Sequence, residues 1–351
     1  MQNVGVIQRY REYLPALRDE SIITLHEGST PLIRAKRLEK YLNANAAIYL
    51  KYEGLNPTGS FKDRGMTMAI SKAVDEGAKA VICASTGNTA ASATAYAARA
   101  GLRCYVLVPK GNIAMGKLAQ SMMHGAQVLQ IDGLFDEALE IVRKITEEQK
   151  ITLVNSVNPY RIEGQKSAAF EICDELKYAP DFHALPVGNA GNISAYWKGY
   201  REYFSTDKIK ALPKMIGFQA EGSAPIVKNR QIDNPKTIAT AIKIGNPASW
   251  RMAVAARDES GGLIEAVTDD EILHAYQLLA SLEGVFCEPA SAASVAGVLK
   301  LNKRKFFSNS STIVCTLTGH GLKDPERAIE SSDKPISVPA DLTKILDAMG
   351  L

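Results

Sequence analysis

Short apolar runs alternate with longer amphipathic or alanine-rich stretches through the middle of the chain. Such alternation predicts a parallel sheet flanked by helices. Residues 81–84 read as a buried strand, 89–99 as an alanine-rich helix, and 104–108 as a second strand closed by Pro109. Helix 115–124, strand 127–131, helix 136–149 and strand 151–154 continue the pattern, so residues 80–155 are expected to form one β-α-β-α-β-α-β unit. Downstream, strand 182–187 runs into a loop at Gly188 and a helix around 195–204. Strand 214–219, helix 269–283, an Ala- and Ser-rich helix 289–299 and strand 312–317 follow. The segment 221–262, with several Pro, Gly and Asn, has no regular pattern. The expected architecture is α/β, with open parallel sheets flanked by helices in two domains. Residues 1–52 plus 153–351 make the larger domain, 53–152 an inserted smaller one, and the active site falls in the cleft between them.

Ligands of open parallel sheets collect at the carboxyl ends of strands. Four polar sequences fall there: Ser85-Thr86-Gly87-Asn88-Thr89, Asn155-Ser156, Gly188-Asn189-Ala190-Gly191-Asn192 and Thr316-Leu317-Thr318-Gly319.

Composition narrows the function classes. At 351 residues and 46% hydrophobic the chain is long enough for two subdomains. Its 41 Lys and Arg against 38 Asp and Glu, a net charge of +3, give no reason to expect nucleic acid or an acidic membrane as partner. The five cysteines are scattered without a C-x-x-C pair, which points to neither disulfides nor zinc and fits a reducing cytosol. No long uncharged apolar run occurs, and Arg9, Arg11 and Glu12 interrupt the N-terminus, so neither a membrane span nor an export signal is expected. The five histidines show no metal-ligand spacing, and no metal is expected. There is no G-x-S-x-G for a serine hydrolase.

Lys62, in Asn56-Pro57-Thr58-Gly59-Ser60-Phe61-Lys62-Asp63-Arg64-Gly65, carries the sharpest candidate chemistry. A lysine on a tight turn beside an aromatic ring can be desolvated, which lowers its pKa towards the range where an amine attacks carbonyls. The Gly188–Asn192 loop leads from a strand to a helix N-terminus, where free N–H groups stabilise an anion. Together they describe a lysine that joins a phosphorylated aldehyde. Each has a bland reading as well: a solvated surface lysine, an ordinary turn, and for Ser85–Thr89 an N-cap cluster. Gly111-Asn112-Ile113-Ala114-Met115-Gly116-Lys117 has the glycine and lysine spacing of a nucleotide-triphosphate loop, yet Leu118 stands where a Ser or Thr must ligate Mg²⁺. His320, beside Thr318 and Gly319, reads as structural.

Glu27-Gly28-Ser29-Thr30-Pro31-Leu32, Lys51-Tyr52-Glu53, the Lys62 motif and the strand-end sequences Ser85–Thr89, Gly188–Asn192 and Thr316–Gly319 together resemble the threonine synthases, pyridoxal-phosphate enzymes of the tryptophan-synthase-β fold group (fold type II). The resemblance covers nearly the whole chain. It implies pyridoxal 5'-phosphate bound covalently by Lys62, with Phe61 preceding it, Asn88 on the phenolic oxygen, Gly188, Asn189, Ala190, Gly191 and Asn192 on the cofactor phosphate, and Thr318 facing the pyridine nitrogen. A neutral hydroxyl there does not enforce a pyridinium as an aspartate would. The implied substrate is O-phospho-L-homoserine. Lys117, Asn155, Ser156, Arg161, Asn189 and Thr89 match the family's substrate-phosphate set, and Ser85, Thr86, Asn88 and Thr89 its carboxylate loop. The alternative for Arg161 is a surface ion pair with Glu163 or Glu171. The implied reaction is loss of phosphate from the γ-carbon followed by water addition at the β-carbon, in a cytoplasmic homodimer. Plant members carry an N-terminal extension tied to activation by S-adenosylmethionine, and no such activation is expected here. Competing readings are a serine or threonine dehydratase, which needs no second phosphate pocket, and a cofactor-holding or nucleotide-sensing protein without turnover.

Overall fold

The computed structural model describes residues 4–44, 46–110, 115–132 and 135–351, apart from the side chains of 115–117, 135, 136 and 139. Among the described residues ten strands form two sheets: β1 Leu32–Arg34, β2 Ala47–Tyr52, β3 Ala80–Ala84, β4 Arg103–Pro109, β5 Gln127–Ile131, β6 Thr152–Leu153, β7 Phe182–Pro186, β8 Lys214–Ala220, β9 Leu263–Val267 and β10 Thr312–Leu317. One sheet has the order β5-β4-β3-β6 and is parallel throughout. The other has the order β1-β2-β10-β7-β8-β9, with only the β1–β2 pair antiparallel.

The parallel strands are covered on both faces, which is why they read as continuous apolar runs. β3 (Ala-Val-Ile-Cys-Ala) and β10 (Thr-Ile-Val-Cys-Thr-Leu) are buried along their whole length. Two helices of small residues let the layers close tightly. Asn88–Arg99 buries eight consecutive residues from Ala90 to Ala97. Pro289–Lys303 starts with proline at its first turn and buries nearly all its length, with Gly297 set directly against the Phe218 ring. Packed beside it, Asp269–Glu283 opens with a Thr268–Glu271 capping box.

The sequence-based elements between 80 and 155 all appear, within one or two residues at their ends. Several others were not read from sequence: β1, β2, β9, the helix Lys62–Asp75 and the helix Trp250–Glu259 inside the irregular 221–262 segment. The triphosphate-loop look-alike falls largely on residues 111–114, outside the described residues. No helix among the described residues is long and apolar enough to cross a membrane.

Candidate active site

Lys62 does not hang on a free turn; it is the first residue of the helix Lys62–Asp75. The turn ahead of it needs Gly59 at φ +84°, a left-handed conformation that glycine adopts without steric cost. Backbone bonds from Phe61 N to Thr318 O (2.9 Å) and from His320 N to Gly59 O (2.9 Å) fasten this turn to the segment after β10. Lys62 and Thr318 are therefore delivered to one place by the main chain itself. His320 caps the short helix that follows, its Nδ1 accepting from Leu322 N, and stacks on Tyr52.

Lys62 is half-buried, and its Nζ lies 4.1 Å from the centroid of the Phe61 ring. Burial, and next the positive charge of Arg161, push the amine down to about 7, with Glu288 opposing them. An unperturbed lysine titrates near 10.4, so in the cofactor-free protein the unfolded chain holds the extra proton between the two values. Apoprotein stability should gain from this group as pH rises from about 7 towards 10. More directly, the rate at which Lys62 captures an added aldehyde should reach half its maximum near pH 7. A stopped-flow pH profile checks this; a midpoint near 10 would contradict the desolvation.

Two glycines bring Arg161 to this amine. The helix Pro159–Gln165 crosses Lys62–Asp75 at Gly164 and Gly65, where a Cβ on Gly65 would stand 2.7 Å from Arg161 O and one on Gly164 would collide with Arg64 O. The Arg161 side chain is only 1% exposed. Its Nη1 donates to Val154 O at 3.3 Å, and its Nε has no partner. Neither carboxylate considered from sequence pairs with it. Glu163 takes Lys166 and Lys198, and Glu171 takes Arg64 and Lys51. Burial lowers the guanidinium to about 10, which leaves it charged at neutral pH. A buried cation without an anion is the signature of a site for one.

Beneath Lys62 lies a charge network that sequence reading missed. Arg64 donates from Nε and Nη2 to Glu53 at 2.6 and 2.8 Å, and from Nη1 and Nη2 to Glu171 at 2.8 and 2.6 Å. Lys51 donates to Glu171 and to Thr30 O, while Thr30 donates to Glu53. Two cations and two carboxylates, all nearly inaccessible, balance one another. Lys51 and Glu53 share one strand end, Arg64 follows eleven residues after Glu53, and Glu171 lies 107 residues beyond Arg64, so no local spacing betrays the whole set. Asp63 faces the other way and accepts from Thr58 N (2.7 Å) and Ser92 Oγ (2.6 Å), tying the turn to the alanine-rich helix. Burial, against those bonds, pushes Asp63 up to about 6.

The Gly188–Asn192 loop passes from β7 into the helix Gly191–Ser205. Ala190, buried, holds φ +64°, a strained left-handed conformation for a residue with a Cβ and a mark of functional backbone. Asn189 Nδ2 donates to Ser156 Oγ at 2.7 Å, and its Oδ1 accepts from Ala248 N. Two residues of the expected substrate-phosphate set are thus in contact. Asn192 spends one amide proton on Pro186 O, so its side chain braces the loop. Asn155 likewise bonds both Ala84 N and Ala84 O, leaving one amide proton for a ligand. Ser85 Oγ accepts from Gly87 N, and Thr86 and Thr89 are half-buried beside it. Lys117 lies on the helix Met115–Met123, but its side chain is outside the described residues.

Asn88 and Thr318 meet through a residue absent from the sequence reading, Glu288. Asn88 Nδ2 donates to its Oε2 at 3.0 Å and Oε1 at 3.3 Å, and Thr318 Oγ1 to Oε1 at 3.2 Å. The available signal was a lone glutamate before Pro289, which reads as a helix N-cap; here its side chain makes no capping bond.

A family model described as "Pyridoxal-phosphate dependent enzyme" matches residues 23–319. The chain belongs to that family. Within it the similarity is to threonine synthases. The enzyme of Halalkalibacterium halodurans is 60% identical over 344 residues, 98% of this chain and 96% of the relative. That of Mycobacterium bovis is 58% identical (99% and 96%), and that of Methanocaldococcus jannaschii 52% (97% and 86%). Solved structures of maize serine racemase (TM-score 0.75, 19% identity, 99% of this chain and 97% of that one) and Entamoeba histolytica cysteine synthase (0.75, 20%, 89% and 90%) share the fold.

Pyridoxal phosphate is the family's cofactor, and the residues present fit it. A desolvated amine suits its aldehyde, the N–H groups of the Gly188–Asn192 loop and helix start suit its phosphate, and Asn88 and Thr318 offer polar contacts to the ring edge.

Proposed function

We propose that this chain converts O-phospho-L-homoserine and water to L-threonine and phosphate, the last step of threonine synthesis, in a cleft between a domain of residues 1–52 plus 153–351 and an inserted one of 53–152. The observation that carries this reading is Arg161, a buried guanidinium next to Lys62 that pairs with no carboxylate among the described residues. A cofactor phosphate held at Gly188–Asn192 leaves Arg161 free for a second, substrate-borne oxyanion. A serine or threonine dehydratase has no use for it.

Pyridoxal phosphate supplies an electron sink that acidifies the carbons of the bound amino acid. The chain's residues do the rest. Lys62 Nζ takes a proton from the α-carbon and gives it up, takes one from the β-carbon, and returns one at the γ-end and, last, one at the α-carbon. Arg161, Ser156, Asn189, Asn155, Thr89 and Lys117 hold the leaving phosphate, and Ser85, Thr86, Asn88 and Thr89 the carboxylate. Phosphate kept in place by Arg161 is positioned to take a proton from the water that adds at the β-carbon. Closure over the substrate keeps bulk water out until then. We place the reaction in the cytoplasm and in a homodimer.

Incubation with O-phospho-L-homoserine tests this reading: phosphate and threonine should form in equal amounts. Formation of 2-oxobutyrate from threonine at a higher rate would favour the dehydratase. Charge-assisted hydrogen bonds contribute about 1.5–3 kcal/mol, so Arg161→Met should lower kcat/KM for the phosphorylated substrate by about ten- to a hundredfold. Arg161→Lys should recover part of it. Steady-state kinetics with both variants would detect an unchanged kcat/KM, which would remove Arg161 from the site.

A further inference from the structure

Thr318 has one hydroxyl proton to give. Its oxygen lies 3.2 Å from Glu288 Oε1 and 3.0 Å from Ser291 Oγ, which is itself tied to Gly319 N and Gly319 O. A hydroxyl whose proton is committed to a carboxylate shows a ligand only lone pairs, whereas one that accepts from a protonated carboxyl has its proton free. Which of these Thr318 shows is therefore decided at Glu288.

We propose that Glu288 is a positioning residue for the ring end of the cofactor: uncharged, it donates to Thr318 Oγ1 and so turns that hydroxyl's proton towards the pyridine nitrogen, keeping the nitrogen unprotonated. This rests on the reading of Thr318 as the ring-nitrogen contact. Geometry supports the uncharged state. Glu288 is 4% exposed and makes no ion pair among the described residues. It is packed so closely under the main chain that a Cβ on Gly319 would fall 2.6 Å from its Cδ. Among the described residues, only the Asn88 amide and the Thr318 hydroxyl lie within hydrogen-bond distance of its oxygens. Glu171, which is ionised, receives two bonds from Arg64, one from Lys51 and one from Ser29 N. The other groups facing Glu288 are Lys323 and Lys62, which favour its charge, and the neighbouring Cys287 thiol. Burial outweighs both lysines and raises Glu288 above the usual carboxylate range. The amide of Asn88 comes from the helix behind β3, so Glu288 also fixes that side chain from across the gap between the two sheets.

The test is a pH titration of the holoenzyme's cofactor absorbance, with cofactor affinity of each apoprotein measured by fluorescence. Wild type should show a spectral transition above the usual carboxylate range, as Glu288 ionises and recaptures the Thr318 proton. Glu288→Gln, which cannot ionise and can turn its NH₂ towards Thr318 while its oxygen accepts from Asn88, should hold the low-pH spectrum throughout and bind cofactor within about threefold of wild type at pH 7. Thr318→Val should lose the transition and change the neutral-pH spectrum; Thr318→Ser should keep both. A transition that persists in Glu288→Gln overturns the proposal. So does one that persists in Thr318→Val, a result that needs no Glu288 variant to fold. A neutral-pH spectrum indifferent to Thr318→Val would instead sink the ring-nitrogen reading beneath it.

Discussion

Lys62→Ala should lose roughly four or more powers of ten in kcat/KM, the scale on which removal of a covalent catalytic group acts. It should also lose the colour of the bound cofactor. The loss should be catalytic, not structural. Lys62 makes no ion pair among the described residues, and its Nζ lies over the ring of Phe61. Its amine is disfavoured as a cation by burial and by Arg161, so removing it relieves a desolvated group at the start of a helix where alanine is well tolerated. Unfolding of the variant apoprotein should occur at the same denaturant concentration as wild type, or slightly higher. A variant that is inactive because it is unfolded would contradict this placement.

Arg64, two residues on, should show the opposite division. Arg64→Leu leaves Glu53 and Glu171 buried, with Lys51 as their one remaining cation. Breaking a buried pair by removing one partner costs about 3–5 kcal/mol, a large share of the 5–15 kcal/mol that holds a typical domain folded. Equilibrium unfolding should show that drop, with much of the variant recovered insoluble. The pH dependence follows from Glu171. Burial alone would raise its pKa, but Arg64 and Lys51 overcome burial and hold it well below the usual carboxylate range. A depressed acid contributes stability that is fully present above its unfolded value, near 4.3, and is lost as pH falls through its folded value. Wild type should therefore lose this contribution only under strong acid, and Arg64→Leu should have little of it left to lose. A shift below 1 kcal/mol for Arg64→Leu would mean that the network is not as dry as the structure shows.

These two residues also mark what was legible in the sequence. The Lys62 motif could be read because its chemistry is local: an amine, an aromatic neighbour and a glycine turn within a few positions. The strands between 80 and 155 were legible for a similar reason, since a buried parallel strand is a short uninterrupted apolar run. The helix Lys62–Asp75 was not, because it is buried on nearly every side and shows no clean amphipathic period. Arg161 could be nominated by resemblance alone. That it is buried and unpaired depends on Gly65 and Gly164 letting two helices touch, a tertiary fact. Glu288 escaped because its role depends on Asn88 and Thr318, which reach it from opposite ends of the chain. Nothing in Glu288-Pro289 distinguishes it from a helix start.

The most direct test of the central claim is chemical. The holoprotein is reduced with borohydride, digested, and its peptides are weighed. The pyridoxyl group should be found on Lys62, in the peptide that begins the helix Lys62–Asp75, and substrate analogues carrying a phosphate should protect that peptide from labelling. Recovery of the label on another lysine, or on none, would contradict the account.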